Sequence, residues 1–483
     1  MAFTTQQGTG GAPWTFQGTP AADTIAVVTG DTQNTTAFDF IADGLEGNDV
    51  INWNGVRSVT IRGGQGADVI TNNIAQSAAL ATLITDSFIN GNDGNDVIGN
   101  TQIGLQATLS TVAGGQADDK IYIGSLQSSK VNGNLGADFI EIGDQRFDEN
   151  IVGDRNNYAN SSIFGGQGDD VIEVVSADRA FLNTRIEGQL GDDVFGINIG
   201  TAANQPSFSG SLVSGGDGND LVDASGILVF GELDEVSFSD LKLNGNAGDD
   251  SVFGGAGEDL LIGESGQDWL SGYADRDTLE GGTEGDILIG AYFDGQLAEG
   301  FIGDGAGDTL TGGTGANLFF IPGVGSAFVS GFIVNDLGST AFVELDENPD
   351  DGLDNIISNG DILAVEDGAD VITDWTASAG SNLLNTGLGD NLAAFPGGDP
   401  AMSLGFEYDD GTGFGSNYAV RGFYVERFNE FGEFTVSSAG TDIAVWTNYT
   451  GDGFEFGEIS NLTILQNVPT TVVLTANQFV ADI

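Results

Sequence analysis

Fourteen aspartates stand directly before short alternating apolar runs: Asp49, Asp68, Asp96, Asp119, Asp138, Asp170, Asp193, Asp220, Asp250, Asp259, Asp268, Asp277, Asp286 and Asp308. Asn317 occupies the next equivalent place. Glycine-rich turns precede most of them, as in SVTIRGGQGADVI (58–70), SSIFGGQGDDVIEV (161–174) and LKLNGNAGDDSVFG (241–254). A carboxylate supplies hard oxygen. Glycine supplies positive φ and close backbone approach, at an entropic cost of about 0.5–1 kcal/mol each in regular structure. Several in one turn suggest carbonyls aimed inward at something. If such turns stack, carboxylates roughly 5 Å apart repel by about 3 kcal/mol at an effective dielectric of 20. An ion between successive turns reverses the sign. An all-oxygen ligand set suits Ca²⁺ better than Zn²⁺, and Mg²⁺ dehydrates reluctantly.

Composition narrows the remaining chemistry. The chain has 483 residues, with 72 acidic and 12 basic side chains, no histidine and no cysteine. Without histidine there is no H-E-x-x-H zinc site and no histidine-based serine triad. Without cysteine there is no disulfide frame and no thiolate nucleophile. Neither a G-x-S-x-G elbow nor a P-loop is present. Paired carboxylates could serve a glycosidase, but among so many acids that signal has little specificity. The expectation is a non-enzymatic protein. A net charge of −60 argues against nucleic acid and anionic membranes, which call for clustered Lys and Arg. No run approaches the roughly 18 apolar residues of a membrane span. Such acidity can mean disorder, yet 40% of residues are hydrophobic, enough for a long core.

The spacing says what must position these groups. From Asp250 to Asp286 the aspartates recur every nine residues, and from Asp49 to Asp220 at steps of 19 to 32. Flanking apolar residues alternate with period two, the strand signature. The expected fold is all-β: a parallel β-solenoid whose strands stack on their equivalents about 4.8 Å away. Nine residues make half a coil. Asp259 and Asp277 are therefore expected on one side, and Asp250, Asp268 and Asp286 on the other. Steps of 19 or more predict one column from Asp49 to Asp250, and Asp308 is expected to follow Asp286.

The turns resemble the RTX (repeats-in-toxin) nonapeptide G-G-x-G-x-D-x-U-x, a calcium-binding β-helix repeat. The match is closest at Gly63–Gly66–Asp68, Gly165–Gly168–Asp170, Gly215–Gly218–Asp220 and Gly254–Gly257–Asp259. It weakens at GGQADD (114–119), GYADRD (272–277) and GGTEGD (281–286), where the fourth glycine is replaced. The resemblance implies several Ca²⁺ ions, each shared between neighbouring turns through carbonyls and the sixth-position aspartate. The degraded turns are expected to bind weakly or not at all. Extra acids such as Asp169 and Asp249 read as solvated surface.

Residues 44–320 are expected to form the solenoid, with 1–43 as a cap or assembly segment and 321–483 as a β-rich domain. DENPDDGLDN (346–355) has the first ligand spacing of a calcium loop, without its glycine or twelfth-place glutamate. GADVITDW (368–375) resembles the sequence that commonly follows RTX arrays. Residues 440–483 resemble the C-terminal region of type I secretion substrates, whose export signal is uncleaved. The start has neither a basic n-region nor an apolar h-region, so no cleaved signal peptide is expected. These features suggest an extracellular, calcium-stiffened scaffold that assembles with itself into a filament or surface layer, resembling oscillin-like surface proteins. The alternative is an adhesin contacting cell-surface polysaccharide through aromatics such as Tyr408, Phe414, Tyr418 and Tyr424.

Overall fold

A computed structural model describes the strands and corners of the chain between Thr4 and Leu474. The longer connections (28–39, 73–82, 144–157, 198–207, 226–240, 292–306, 334–361, 386–402 and 449–459), several shorter ones and residues 475–483 lie outside the described residues. The acidic loop 346–355 is among these. Every regular element described is a β-strand. No described helix is long and apolar enough to cross a membrane.

The chain divides into two units, Met1–Ser251 and Val252–Ile483. The first unit is a parallel β-solenoid of two facing sheets. One sheet stacks, in register, Phe40–Glu46, Val59–Gln65, Phe88–Asp93, Thr111–Gln116, Lys130–Leu135, Ser162–Gln167, Arg185–Leu190, Leu212–Asp217 and Lys242–Ala247. The other stacks Val50–Trp53, Val69–Asn72, Val97–Ile98, Lys120–Gln127, Phe139–Ile142, Val171–Val174, Val194–Ile197 and Leu221–Asp223. Upstream, Trp14–Gln17 and Thr24–Val27 add a parallel strand to each sheet, and Thr4–Gln6 pairs antiparallel with Trp14–Gln17.

Period-two alternation puts one residue of each strand at the same height inside every coil. Ile61, Ile89, Val112, Val131 and Ile163 form one such row, and Ile51, Ile70, Ile98, Ile121 and Ile140 face them from the other sheet. All ten are fully buried. β-Branched side chains suit a pleated, stacked surface, and each such burial is worth about 1.5–3 kcal/mol relative to exposure. Aromatics stack by the same logic. Tyr158, Phe181 and Phe208 lie ring on ring at 4.5 and 4.6 Å, and the Tyr158 hydroxyl donates to the Gly124 carbonyl at 2.8 Å.

The second unit opens with the same architecture. Leu260–Ser265, Thr278–Thr283, Thr309–Thr314 and Asp370–Ile372 stack in parallel in one sheet. Trp269–Tyr273, Ile287–Ala291, Leu318–Phe320 and Leu383–Asn385 stack in the other. Ser460–Leu465 then pairs in parallel with Asp370–Ile372 on one side and antiparallel with Asp442–Asn448 on the other. From there an antiparallel sheet runs through Phe414–Arg427 to Ser403–Asp409 and Phe431–Val436, and on to Ile362–Glu366 and Phe328–Ile333.

Candidate metal centre: ladders of buried aspartates

Each glycine turn links a strand of one sheet to a strand of the other, and its aspartate closes the corner. In the first unit the aspartates form one column, as steps of 19 or more predict. The backbone N–H of each donates to Oδ1 of the next, from Asp49 through Asp68, Asp96, Asp119, Asp138, Asp170, Asp193 and Asp220 to Asp250, at 2.7–2.8 Å. The second unit carries two such columns. One runs Asp259, Asp277, Asp308, Asp370. The other runs Asp268, Asp286, Asn317, Asn382. All fourteen predicted aspartates are at most 2% exposed.

One placement differs from the spacing argument. Asp308 follows Asp277, not Asp286, which is followed by Asn317. The 22-residue step from Asp286 to Asp308 is a half-coil lengthened by the connection after Ile287–Ala291, whereas its length reads as a whole coil.

Three rungs escaped the sequence reading. Asp23 precedes the first sheet: its N–H donates to Asp49 Oδ1 at 2.7 Å, and its Oδ2 accepts from Thr19 N and Oγ1 at 2.6 and 2.8 Å. Asp370 and Asn382 extend the second unit's columns. Their signal was a polar residue ahead of an alternating apolar run, as in AADTIAVV and GADVI, without a glycine turn in front.

The second carboxylate oxygen is the distinctive feature. Oδ2 of Asp49, Asp68, Asp96, Asp119, Asp138, Asp170, Asp193, Asp220 and Asp286 is buried with no hydrogen-bond partner. An orphaned charged oxygen costs more than any ordinary unmet polar group. It lies against the first glycine of its own turn. A Cβ on Gly63 would collide with Asp68 Oδ2 and stand 2.6 Å from the Gly91 carbonyl oxygen of the next coil. The same collision awaits a Cβ on Gly165 from Asp170 and on Gly215 from Asp220. On Gly254 it would meet the Gly272 carbonyl and stand 2.8 Å from Asp259 Oδ2. Glycine is required there because the aspartate's own carboxylate fills the space, joined at Gly63 and Gly254 by a carbonyl oxygen of the next coil. That donor set, carboxylate and carbonyl with no nitrogen or sulfur, fits a hard divalent cation.

The fourth position needs a left-handed backbone. Gly66, Gly168, Gly218 and Gly257 have φ of 127°, 127°, 143° and 119°. In the degraded turns Ala117, Asp275 and Glu284 adopt 73°, 74° and 82°, so the corner keeps its shape without the glycine. Asp119, Asp277 and Asp286 accordingly remain in their columns. Asp169 and Asp249 are exposed, as expected of surface acids, and they sit in an outer ladder where a side-chain oxygen accepts the next turn's backbone N–H. Asp169 Oδ1 accepts from Asp192 N at 3.0 Å, and Asp249 N donates to Asn219 Oδ1 at 2.8 Å.

Burial shifts the ladder's protonation. It pushes Asp68, Asp138 and Asp220 up to about 6, Asp96, Asp193 and Asp286 to about 7, and Asp119 and Asp170 to about 8. The N–H bond to Oδ1 pulls each down, and neighbouring carboxylates push it up again. A cation beside Oδ2 replaces the lost solvation and cancels that repulsion.

In the C-terminal region Asp442 is 8% exposed and ties strands together. Its Oδ2 accepts from Tyr424 N at 2.8 Å, and its Oδ1 from Asn467 N at 3.2 Å. Nearby, Arg421 donates to the carbonyls of Gly440, Val468 and Pro469. Tyr424 is half-buried. The side chains of Tyr408, Phe414 and Tyr418 lie outside the described residues.

Neither the characterised proteins nor the solved structures include a significant match to this chain. A family model for the RTX calcium-binding nonapeptide repeat matches residues 157–174, 242–270 and 253–288. These stretches contain Asp170 and Asp250 in the first unit's column and Asp259, Asp268, Asp277 and Asp286 in both columns of the second. On a parallel solenoid with glycine corners and ladders of buried aspartates, the chain carries repeats that match the RTX calcium-binding nonapeptide.

Proposed function

We propose that this chain is an exported structural protein whose solenoid is closed by Ca²⁺ held between successive aspartate rungs, and that the calcium-loaded form assembles with itself into an extracellular filament or surface layer. The orphaned Oδ2 of Asp49, Asp68, Asp96, Asp119, Asp138, Asp170, Asp193, Asp220 and Asp286 carries the reading. The ions are held by the ladder aspartates from Asp49 to Asp308 together with the carbonyls of their glycine turns, including Gly63, Gly165, Gly215 and Gly254. Calcium supplies charge neutralisation at those oxygens. The chain itself supplies the spacing, through the strand register and the N–H to Oδ1 bonds.

The compartment follows from the same chemistry. In a low-calcium cytoplasm the acidic rungs repel and hold the chain short of its full fold. At roughly millimolar extracellular calcium, binding free energy becomes folding free energy. Export through the C-terminal 440–483 region, by a type I route, is compatible with a chain that completes its folding outside. The scaffold role is non-catalytic in this reading.

The test is electron microscopy of purified protein with calcium and with EDTA, alongside circular dichroism. The reading expects ordered filaments or sheets with calcium and their loss in chelator. Monomers under both conditions remove the assembly claim, and an assembly whose spacing is unchanged by EDTA removes calcium control.

A further inference from the structure

Six described coils of the first unit have a second corner that is built differently. The strand that enters the first sheet is preceded there by a hydroxyl residue: Ser87, Ser110, Ser129, Ser161, Thr184 or Ser211. Each occupies the place, four residues before the strand's glycine, that Asp259, Asp277 and Asp308 occupy in the second unit. These hydroxyls form their own ladder. Val59 N donates to Ser87 Oγ, Ser87 N to Ser110 Oγ, Ser110 N to Ser129 Oγ and Ser129 N to Ser161 Oγ, at 3.1–3.2 Å. Thr184 N donates to Ser211 Oγ at 3.0 Å. In return Ser87, Ser110, Ser129 and Ser161 donate to the carbonyl two residues back, at 2.8–2.9 Å. Five of them, Ser87 to Thr184, are no more than 6% exposed.

The contrast with the aspartate corner is chemical. Both side chains accept the neighbouring rung's N–H. From Asp49 to Asp220 the carboxylate then has a second oxygen without a hydrogen-bond partner, whereas the hydroxyl spends its proton on a carbonyl and leaves no charged oxygen over. The hydroxyl corner also lacks the glycine turn. A single left-handed residue precedes the hydroxyl, Asp86, Leu109, Ser128, Asn160 or Asn183, with φ of 49–51°.

A related substitution ends one column of the second unit. Asn317 and Asn382 are 0% and 1% exposed, and each accepts the preceding rung's N–H through Oδ1. That bond fixes the amide orientation, because only the oxygen can accept. Nδ2 is therefore left where the other rungs place a carboxylate oxygen, buried and without a partner. An N–H donor there repels a cation.

We propose that the residue closing each corner sorts the corners by calcium. Aspartate corners hold ions, while the Ser/Thr ladder of the first unit and the Asn317 and Asn382 rungs are calcium-free fasteners. The first unit then carries calcium along one edge only, with a hydroxyl seam along the other. This rests on the reading that the aspartate corners bind calcium.

The experiment counts bound calcium per full-length chain by equilibrium dialysis at saturating calcium, with thermal unfolding alongside. Ser110→Ala/Ser129→Ala/Ser161→Ala is expected to keep the wild-type ion count while its unfolding midpoint falls by about 3 °C or more. Asp119→Asn/Asp138→Asn/Asp170→Asn is expected to bind fewer ions, and Asn317→Asp to bind one more. If the serine triple does not fold, Ser129→Ala alone is read against Ser129→Thr, which should match wild type because Thr184 already fills an equivalent rung. Loss of ions in a folded serine variant, or no gain in Asn317→Asp, overturns the sorting rule. An unchanged ion count in the aspartate triple instead overturns the reading beneath it.

Discussion

At the scale of the residue, the corner asks for three things: no Cβ at the first position, a left-handed backbone at the fourth, and a carboxylate at the sixth. Ala117 meets the second at φ 73° with a side chain that resists it. Left-handed geometry costs an L-residue about 1–2 kcal/mol, partly offset by glycine's greater chain entropy. Ala117→Gly should therefore stabilise the calcium-loaded protein by about 1 kcal/mol in thermal or denaturant unfolding. Gly165→Ala should do the reverse and weaken calcium binding, since its methyl would occupy the space of Asp170 Oδ2; calcium titration by calorimetry reads that loss. The raised carboxyls give a pH dependence of defined sign. Their folded values, about 6 to 8, exceed the ordinary unfolded value of 3.8. The calcium-free fold is therefore not penalised below about pH 4, and loses stability as pH rises through the folded values. In calcium-stripped buffer the protein should melt higher at pH 5 than at pH 8.5. With calcium the order should reverse, because protons compete for the same oxygens.

At the scale of the element, the strands do not depend on the ion for their pattern. Ile140 is fully buried between Ile121 and Ile172 in its sheet. Ile140→Ala should cost about 2–5 kcal/mol, by removing buried hydrocarbon and leaving a cavity, and leave calcium stoichiometry unchanged in the folded fraction. Much of this level was legible in the sequence. Glycine turns, period-two alternation and nine-residue steps specify the solenoid, because each is a local requirement repeated coil after coil. The hydroxyl ladder was not legible, since serine is common and its corner has no glycine turn to announce it. Asp23 and Asp370 escaped for the same reason. Spacing alone puts Asp308 in the column of Asp286 instead of Asp277, because an inserted connection changes the residue count without changing the number of half-coils. Spacing reports phase only where coils are minimal.

At the scale of the whole molecule, 72 acidic residues against 12 basic ones have to fold together. The ladders put part of that charge inside, one carboxylate per rung, where it is most costly without a counter-ion. Among the described residues others are exposed, as at Asp169, Asp192 and Asp249. The two units use different amounts of this chemistry: one aspartate column in the first, two in the second. The most direct test of calcium between the rungs is an anomalous difference map from crystals grown with calcium. The account predicts peaks beside Oδ2 of the ladder aspartates, each also within reach of a glycine carbonyl of the adjoining coil. Well-ordered rungs in the same register, with no peak beside those oxygens, would contradict it.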